Sequence, residues 1–324
     1  MISVVIVSYN ARDTLRDCLT SLFTHPPDLE MEVFVVDNHS ADGSAHMVKQ
    51  KFPQVRLIAN TENCGFAAAN NQAFRLAKGS YVVLLNPDAF VKPGAIEAAV
   101  DFMERMPRCG VSGGRLVDPS GRLAPSARRF PNWRAKLFSL TGMSSRYPTS
   151  RVFNRHDFGS FAHDRPHEVD WVPGTFVVLR PKMLTEIGVF DERFFIYYEE
   201  TDLCLRARQN GWKVYFVPDA EVIHIGGACS QTRKDELFDP SGAQVLSFRM
   251  RSEWLYHRKN GGLLSVLANA GVELGWHLLR FWFNRLPGLS EARSKRTASA
   301  NVIRLIRKTL RDTSFGRRSP AAPW

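Results

Sequence analysis

Apolar runs and amphipathic stretches alternate four times over the first hundred residues, and few architectures accept that rhythm. Ser3–Ser8 (SVVIVS) reads as a buried strand, followed by a helix over Ala11–Phe23. Glu32–Val36 is a second strand with a helix from Ser40 or Ala41 to Lys51, and Val55–Ile58 a third with a helix near Ala67–Leu76. Tyr81–Leu85 (YVVLL) is a fourth strand, and Pro93–Met106 has helical spacing. Strand–helix units of this kind build an α/β, Rossmann-like, mostly parallel central sheet with flanking helices. Ligands of such sheets bind at the carboxyl ends of the strands.

Polar residues gather at those ends. Strand one closes on Ser8-Tyr9-Asn10, strand two on Asp37-Asn38 and strand four on Asn86-Pro87-Asp88. Each alone suits an ordinary turn, because Asx and Pro side chains terminate strands. Three at one edge point to a site. From Pro107 to Asp170 the sequence reads as irregular, rich in Pro, Ser and Arg, a length at which loops tend to be functional or mobile. Regularity returns with a strand at Trp171–Arg180, a helix from Glu199 that stops at Asn210-Gly211, and a strand at Val214–Val217. Ala220–Ile225 then leads into Gly226 and Gly227.

The charge is segregated. Residues 245–324 hold 15 Lys and Arg against 4 Asp and Glu, while residues 1–244 hold 28 of each, so the net +11 resides in the C-terminal quarter. Ordinary hydrophobic (44%) and charged (23%) fractions exclude disordered and multi-span membrane classes. Five scattered cysteines without a CxxC pair argue for a reducing compartment and against a zinc or disulfide framework. The opening MISVVIVSYN has no basic n-region or cleavage site, so no signal peptide is expected and the chain is read as cytoplasmic.

Several residues have the chemistry of a phosphate-handling site. Asp88 emerges at the ligand-binding edge and suits a hard divalent cation, Mn²⁺ or Mg²⁺, although Asn-Pro-Asp also makes a turn. His224, carried at the end of an apolar stretch and followed by glycines, is a candidate second ligand; imidazole favours Mn²⁺, and the competing reading is a structural histidine. Phe194–Arg206 (FFIYYEETDLCLR) sets Glu199, Glu200 and Asp202 after an aromatic run, where desolvation raises a carboxyl towards a useful base. These acids also suit the positive end of a helix. Arg206, four residues on, can pair with Asp202, whereas Leu203 and Cys204 offer Glu200 nothing, which makes Glu200 the preferred base.

With these residues in view, the chain resembles the family 2 glycosyltransferases of GT-A fold, in their rhamnosyltransferase-like branch. VVIVSYN, VVDNHSADGS and NCGFAAANNQAF are similar to that family's donor-nucleotide region. LLNPDAF resembles a DxD motif with Asn86 replacing the first acid, FDERFFIYYEETDLCLRARQNGW the hallmark segment, and VIHIGGACSQ the metal-histidine segment. The likeness spans about residues 1–235. It implies that Asp37 reads the donor base or ribose with Ser8, Asn10, Asn63 and Asn70 nearby. It further implies that Asp88 and His224 hold the cation on the diphosphate, and that the base falls on Glu200, a Glu where the family has Asp. Inverting transfer from a nucleotide-diphosphate sugar to a hydroxyl of a glycan or glycolipid is the implied reaction, in cell wall or polysaccharide biosynthesis; dTDP-rhamnose is the donor the resemblance suggests, with UDP- or GDP-linked hexoses open. A nucleotidyltransferase would carry a glycine-rich phosphate loop after strand one, which SYNARDTL lacks. A non-catalytic nucleotide-sugar scaffold is the other alternative.

The domains expected are therefore a GT-A catalytic domain over 1–240, with a nucleotide-sugar half at 1–106 and an acceptor half at 107–240, and a basic amphipathic helical extension over 241–324. Gly262–Phe283 is long enough to span a bilayer, but burying Glu273 there costs roughly 2.5–3.5 kcal/mol. A place in the membrane interface, with Trp276 and Trp282 at headgroup depth, or packing on the catalytic domain, are the readings open to it. Over Val302–Arg311, Val302, Ile303, Leu305, Ile306 and Leu310 share one helical face and Arg304, Arg307, Lys308 and Arg311 the other, which suits an anionic cytoplasmic leaflet. No nucleic-acid-reading module is present, so nucleic acid is not an expected partner.

Overall fold

The computed structural model describes residues 1–225, 243–285 and 291–320. Its first half follows the expected units: β1 Ile2–Ser8, α1 Arg12–Thr24, β2 Met31–Asp37, α2 Ser44–Lys51, β3 Arg56–Ala59, α3 Phe66–Phe74 and β4 Tyr81–Leu85. Then come β5 Ala89–Val91, α4 Ala95–Arg105, β6 Cys109–Val117, β7 Leu123–Ala124, α5 Trp133–Leu140, α6 Met143–Arg146, β8 His167–Glu168 and β9 Phe176–Leu179. The remainder is α7 Pro181–Ile187, α8 Glu199–Gln209, β10 Lys213–His224, α9 Ala243–Phe283 and α10 Ala292–Asp312.

One sheet orders these strands β3-β2-β1-β4-β9-β6-β10-β5, with β7 beside β6 and β8 beside β10. β1 is buried along its whole length because parallel neighbours β2 and β4 flank it and helices cover its faces, so it reads as a continuous apolar run. β1 to β4, β6 and β10 run one way, and β9 and β5 run against them. The carboxyl ends of six strands therefore share an edge, and the order reverses between β1 and β4.

The irregular reading of 107–170 is corrected. β6, a nine-residue strand, runs through the middle of the sheet between β9 and β10. Its Gly113 and Gly114 read as loop residues, yet they are there for close packing: a Cβ on Gly114 would lie 2.1 Å from the Ala220 carbonyl oxygen, and one on Gly113 would lie 2.6 Å from Val172 Cβ. Val214–Val217 and Ala220–Ile225 form the single strand β10, irregular in register between Val217 and Glu221. The strand expected over Trp171–Arg180 is confined to β9, after Pro173-Gly174.

The chain divides into two compact units, 1–130 with 162–242, and 131–161 with 243–324. The first holds the sheet. The second is helical and discontinuous, so 131–161 leaves the acceptor half to which the sequence reading assigned it. Lys136 on α5 is the physical reason: its Nζ lies 2.6 Å from Glu253 Oε1 and 2.6 Å from Glu273 Oε2, both on α9. Glu273, the residue that made a bilayer span costly, is thus neutralised inside the unit.

Within that unit α9 breaks at Gly262, which adopts φ 71° and ψ −170°. Trp254, Val266, Ala270 and Ile306 form its core, with Val302, Leu305 and Leu310 packed alongside. This corrects the membrane reading of 302–311, because most of the apolar face of α10 is spent on the unit's own core. Along the arm of α9 after Gly262, by contrast, Leu264, Leu279, Trp282 and Phe283 are largely exposed.

Candidate active site

The carboxyl edge is built from three groups of residues. The first lies at the ends of β1 and β2, where Ser8 faces Asp37 in parallel register. Both are buried; Asp37 Oδ2 accepts a hydrogen bond from the Ser40 amide (3.0 Å), while Asp37 Oδ1 and Ser8 Oγ have no partner among the described residues. Buried polar atoms left open cost free energy unless a ligand meets them. Asn10, Asn63 and Asn70 lie around this corner but hold the scaffold. Asn10 Oδ1 accepts from the Ala41 amide (2.8 Å), Asn63 Oδ1 accepts from Asn38 Nδ2 (2.8 Å) and the Gly65 amide (3.0 Å), and Asn70 Nδ2 donates to the Phe66 carbonyl (2.8 Å). Asn38 is an organiser that the sequence reading left out of the site: its Oδ1 also accepts from Asn60 Nδ2 and the Cys64 amide, both at 3.1 Å.

The second group follows β4. The Asn86 amide donates to the Thr175 carbonyl (2.9 Å), and Asp88 then opens β5, which pairs antiparallel with the end of β10. That pairing sets His224 opposite Ala89 and brings its Nε2 to 3.4 Å from Asp88 Oδ1. The Ile225 amide donates to the Asp88 carbonyl (3.1 Å) and fixes the approach. Neighbouring ligands on a small octahedral cation stand about 3 Å apart, so an oxygen and an imidazole nitrogen at this separation fit one divalent ion. Among the described residues no set of three His, Cys, Asp or Glu side chains is placed to hold a metal. Gly226 and Gly227, together with the rest of VIHIGGACSQ beyond Ile225, lie outside the described residues.

The third group is the first turn of α8. Helix and strand are joined by only three residues, Asn210 to Trp212, so α8 runs back along β10 and its N-terminus lies towards the carboxyl edge. Gly65 ties the segment before α8 to the donor corner: the Phe66 amide donates to the Phe195 carbonyl (2.6 Å), and a Cβ at position 65 would lie 2.5 Å from that oxygen. Tyr197 and Tyr198 both take left-handed conformations, φ 70° and 69°. Non-glycine residues pay for that geometry, and such strain concentrates at functional positions.

Glu199 is buried and Glu200 partly so, each with a buried Oε2 atom that has no partner among the described residues. Burial raises both carboxyls above the usual range. Glu199 stands well above it, with the charge of Glu200 adding to the rise, whereas backbone amides at the helix start and a hydrogen bond from Glu199 draw Glu200 back. The two carboxyls titrate as a pair, with Glu199 the more strongly raised of the two. Asp202 is fully buried and paired with Arg206 (2.8 Å), as its spacing foretold. Arg128, outside the residues chosen from sequence, has a guanidinium that desolvation draws down to about 10; nothing in its Arg-rich surroundings marked it out.

Residues 3–161 match the family described as "Glycosyl transferase family 2". The chain is 32% identical over 237 residues to the N-acetylglucosaminyl-diphospho-decaprenol L-rhamnosyltransferase of Mycobacterium tuberculosis, covering 69% of this chain and 76% of that one. The chain belongs to glycosyltransferase family 2. As a family 2 enzyme it is a glycosyltransferase with rhamnosyltransferase relatives, among them rhamnosyltransferase WbbL of Escherichia coli K12 (24% identity, covering 69% of this chain and 83% of WbbL). Solved structures show the GT-A fold. The mannosyltransferase PcManGT of Pyrobaculum calidifontis, in complex with GDP-Man and Mn²⁺, superposes with TM-score 0.53 at 18% identity over 95% of this chain and 86% of that one. GalNAc-T7 with UDP, GalNAc and Mn²⁺ gives 0.54 at 16% identity over 97% and 56%.

Proposed function

We propose that this glycosyltransferase transfers a sugar, rhamnose by analogy with its relatives, from a nucleotide-diphosphate donor to a hydroxyl of a lipid-linked or polysaccharide acceptor, with inversion. The observation that carries this reading is the buried Glu199–Glu200 pair at the carboxyl edge, two carboxyls raised by burial, with Glu199 the higher and, among the described residues, no cation paired with either. Such a carboxylate can take the proton of an acceptor hydroxyl as that oxygen attacks the anomeric carbon in one in-line displacement. Ser8 and Asp37 would meet the donor's ribose or base with the atoms they leave open. Asn10, Asn63 and Asn70 act here by holding the loops around that corner. Asp88 and His224 would hold a divalent cation, whose chemistry when bound is to offset charge on the departing diphosphate. Asn86 keeps the turn that presents Asp88, Asp202 anchors Arg206, and Glu199 donates to the base.

The acceptor named for the mycobacterial relative is a diphospho-decaprenol lipid. The same class of acceptor is proposed here, with the enzyme at the cytoplasmic face of the membrane. Thermal-shift screening of dTDP-, UDP- and GDP-sugars with Mn²⁺, followed by transfer to a polyprenyl-diphosphate acceptor, tests the reading. Stabilisation by one nucleotide sugar with Mn²⁺-dependent turnover is expected. Stabilisation without transfer or hydrolysis would instead mark a binding scaffold.

A further inference from the structure

The helical unit carries 20 Lys and Arg against 5 Asp and Glu, a balance of +15. It also contains a cavity of about 500 Å³ whose wall is partly cationic and partly apolar. Arg258, Arg311 and Arg317 supply the first part, and Leu263, Leu267 and Phe315 the second. No carboxylate lines it, and no carboxylate among the described residues pairs with any of the three arginines. Like charges brought together this way repel unless an anion joins them, and guanidinium forks match phosphate oxygens.

An unusual turn forms part of the cavity wall. After α10 the chain passes through three successive left-handed residues, Ser314 (φ 48°), Phe315 (φ 55°) and Gly316 (φ 76°). Gly316 is forced by contact, since a Cβ there would lie 2.1 Å from the Trp254 carbonyl oxygen. The turn leaves Phe315 44% exposed beside the arginines.

The apolar side of the cavity does not stop at its rim. Leu263 and Leu267 border a stripe on the same helical arm, on which Leu264, Leu278, Leu279 and Trp282 recur at helical spacing and stand 37–81% exposed. Phe283 and Arg285 follow, and the Arg285 guanidinium lies 4.2 Å from the centroid of the Trp282 ring. A stripe of leucines ending in tryptophan and arginine is the pattern of a helix lying in a bilayer interface. A soluble phosphate ester would have no use for it.

We propose that this cavity binds the phosphate of an anionic membrane phospholipid while the leucine stripe of α9 lies in the acyl layer beside it. The transfer chemistry is not involved, so the proposal stands or falls apart from it. The test is sedimentation of the full chain with phosphatidylcholine vesicles, with and without about 30 mol% phosphatidylglycerol. Wild-type protein should pellet only with the anionic vesicles. Arg258→Gln/Arg311→Gln/Arg317→Gln should lower the partition coefficient on the order of 100-fold, as the loss of three leaflet-facing cations implies. Arg304→Gln/Arg307→Gln/Lys308→Gln, which removes three exposed cations outside the cavity, should cost less than about tenfold. Equal losses in the two variants, or no loss in the first, would overturn the cavity assignment. If inorganic phosphate raises the melting temperature of the wild type but the anionic vesicles do not retain it, the site takes a soluble phosphate instead and the membrane proposal fails. Should the first variant not fold, arginine modification by phenylglyoxal on wild-type protein decides: anionic vesicles must protect Arg258, Arg311 and Arg317, and unprotected arginines refute the assignment.

Discussion

Each unit of this protein buries a pair of glutamates, and the two pairs live in opposite ways. In the helical unit Lys136 sits between Glu253 and Glu273, 2.6 Å from each. Burial alone would raise Glu253, but Lys136 and His257 bring it down to about 2. In the sheet unit, among the described residues, Glu199 and Glu200 have only each other and a few backbone amides, and both are raised. A buried carboxylate with its cation is part of the framework. A buried carboxylate without one costs stability, which a fold retains where chemistry needs a base.

The sharpest way to break this contrast is Glu200→Gln. Turnover should fall about 10²–10⁴-fold, the usual worth of a general base, with donor binding by calorimetry and the melting temperature little changed. Near-normal turnover would move the base to Glu199 or Asp202. The converse substitution is Lys136→Met, which strands two buried carboxylates. Urea unfolding should show a loss of about 3–5 kcal/mol, while turnover per folded molecule stays close to wild type.

Acid should separate the pairs by sign. The folded value of Glu253 lies below its ordinary 4.5, so its contribution to stability is complete above that pH and drains away as pH falls from about 5 towards 2. The Glu199–Glu200 pair is raised, so the acid limb of the rate should lie above the ordinary glutamate range, at pH values where the helical unit remains fully stable. A rate profile whose limb coincides with the acid unfolding curve would erase the distinction.

Two smaller effects sharpen it. Asp88→Ala should weaken Mn²⁺-dependent donor binding by about tenfold or more, roughly 1.4 kcal/mol for a lost ligand, with Mn²⁺-independent binding unchanged in calorimetry. Glu199→Gln should cost less than tenfold in turnover, because a side-chain amide can still donate to Glu200 in place of the Glu199 carboxyl.

Much of this could be read from the chain alone, and for one reason: wherever a local pattern decided the outcome, the sequence carried it. The strand–helix rhythm of the first hundred residues follows from burial on both faces of a parallel sheet. The polar ends of β1, β2 and β4 follow from where those strands must stop, and the Asp202–Arg206 pair from one turn of helix. What distant parts of the chain decide by meeting was not legible. β6 looked like a loop because its glycines answer Ala220 and Val172, both far along the chain. The 131–161 segment looked like part of the acceptor half because nothing local reveals that Lys136 neutralises Glu253 and Glu273. The apolar face of α10 looked available to lipid until Trp254 and Val266 claimed it. The left-handed Tyr197 and Tyr198, and the 3.4 Å approach of His224 to Asp88, exist only because tertiary contacts hold each partner in place. Sequence determines which groups can ionise, ligate or pair; the fold alone sets which of them keep a neutralising neighbour, and hence which remain free to react.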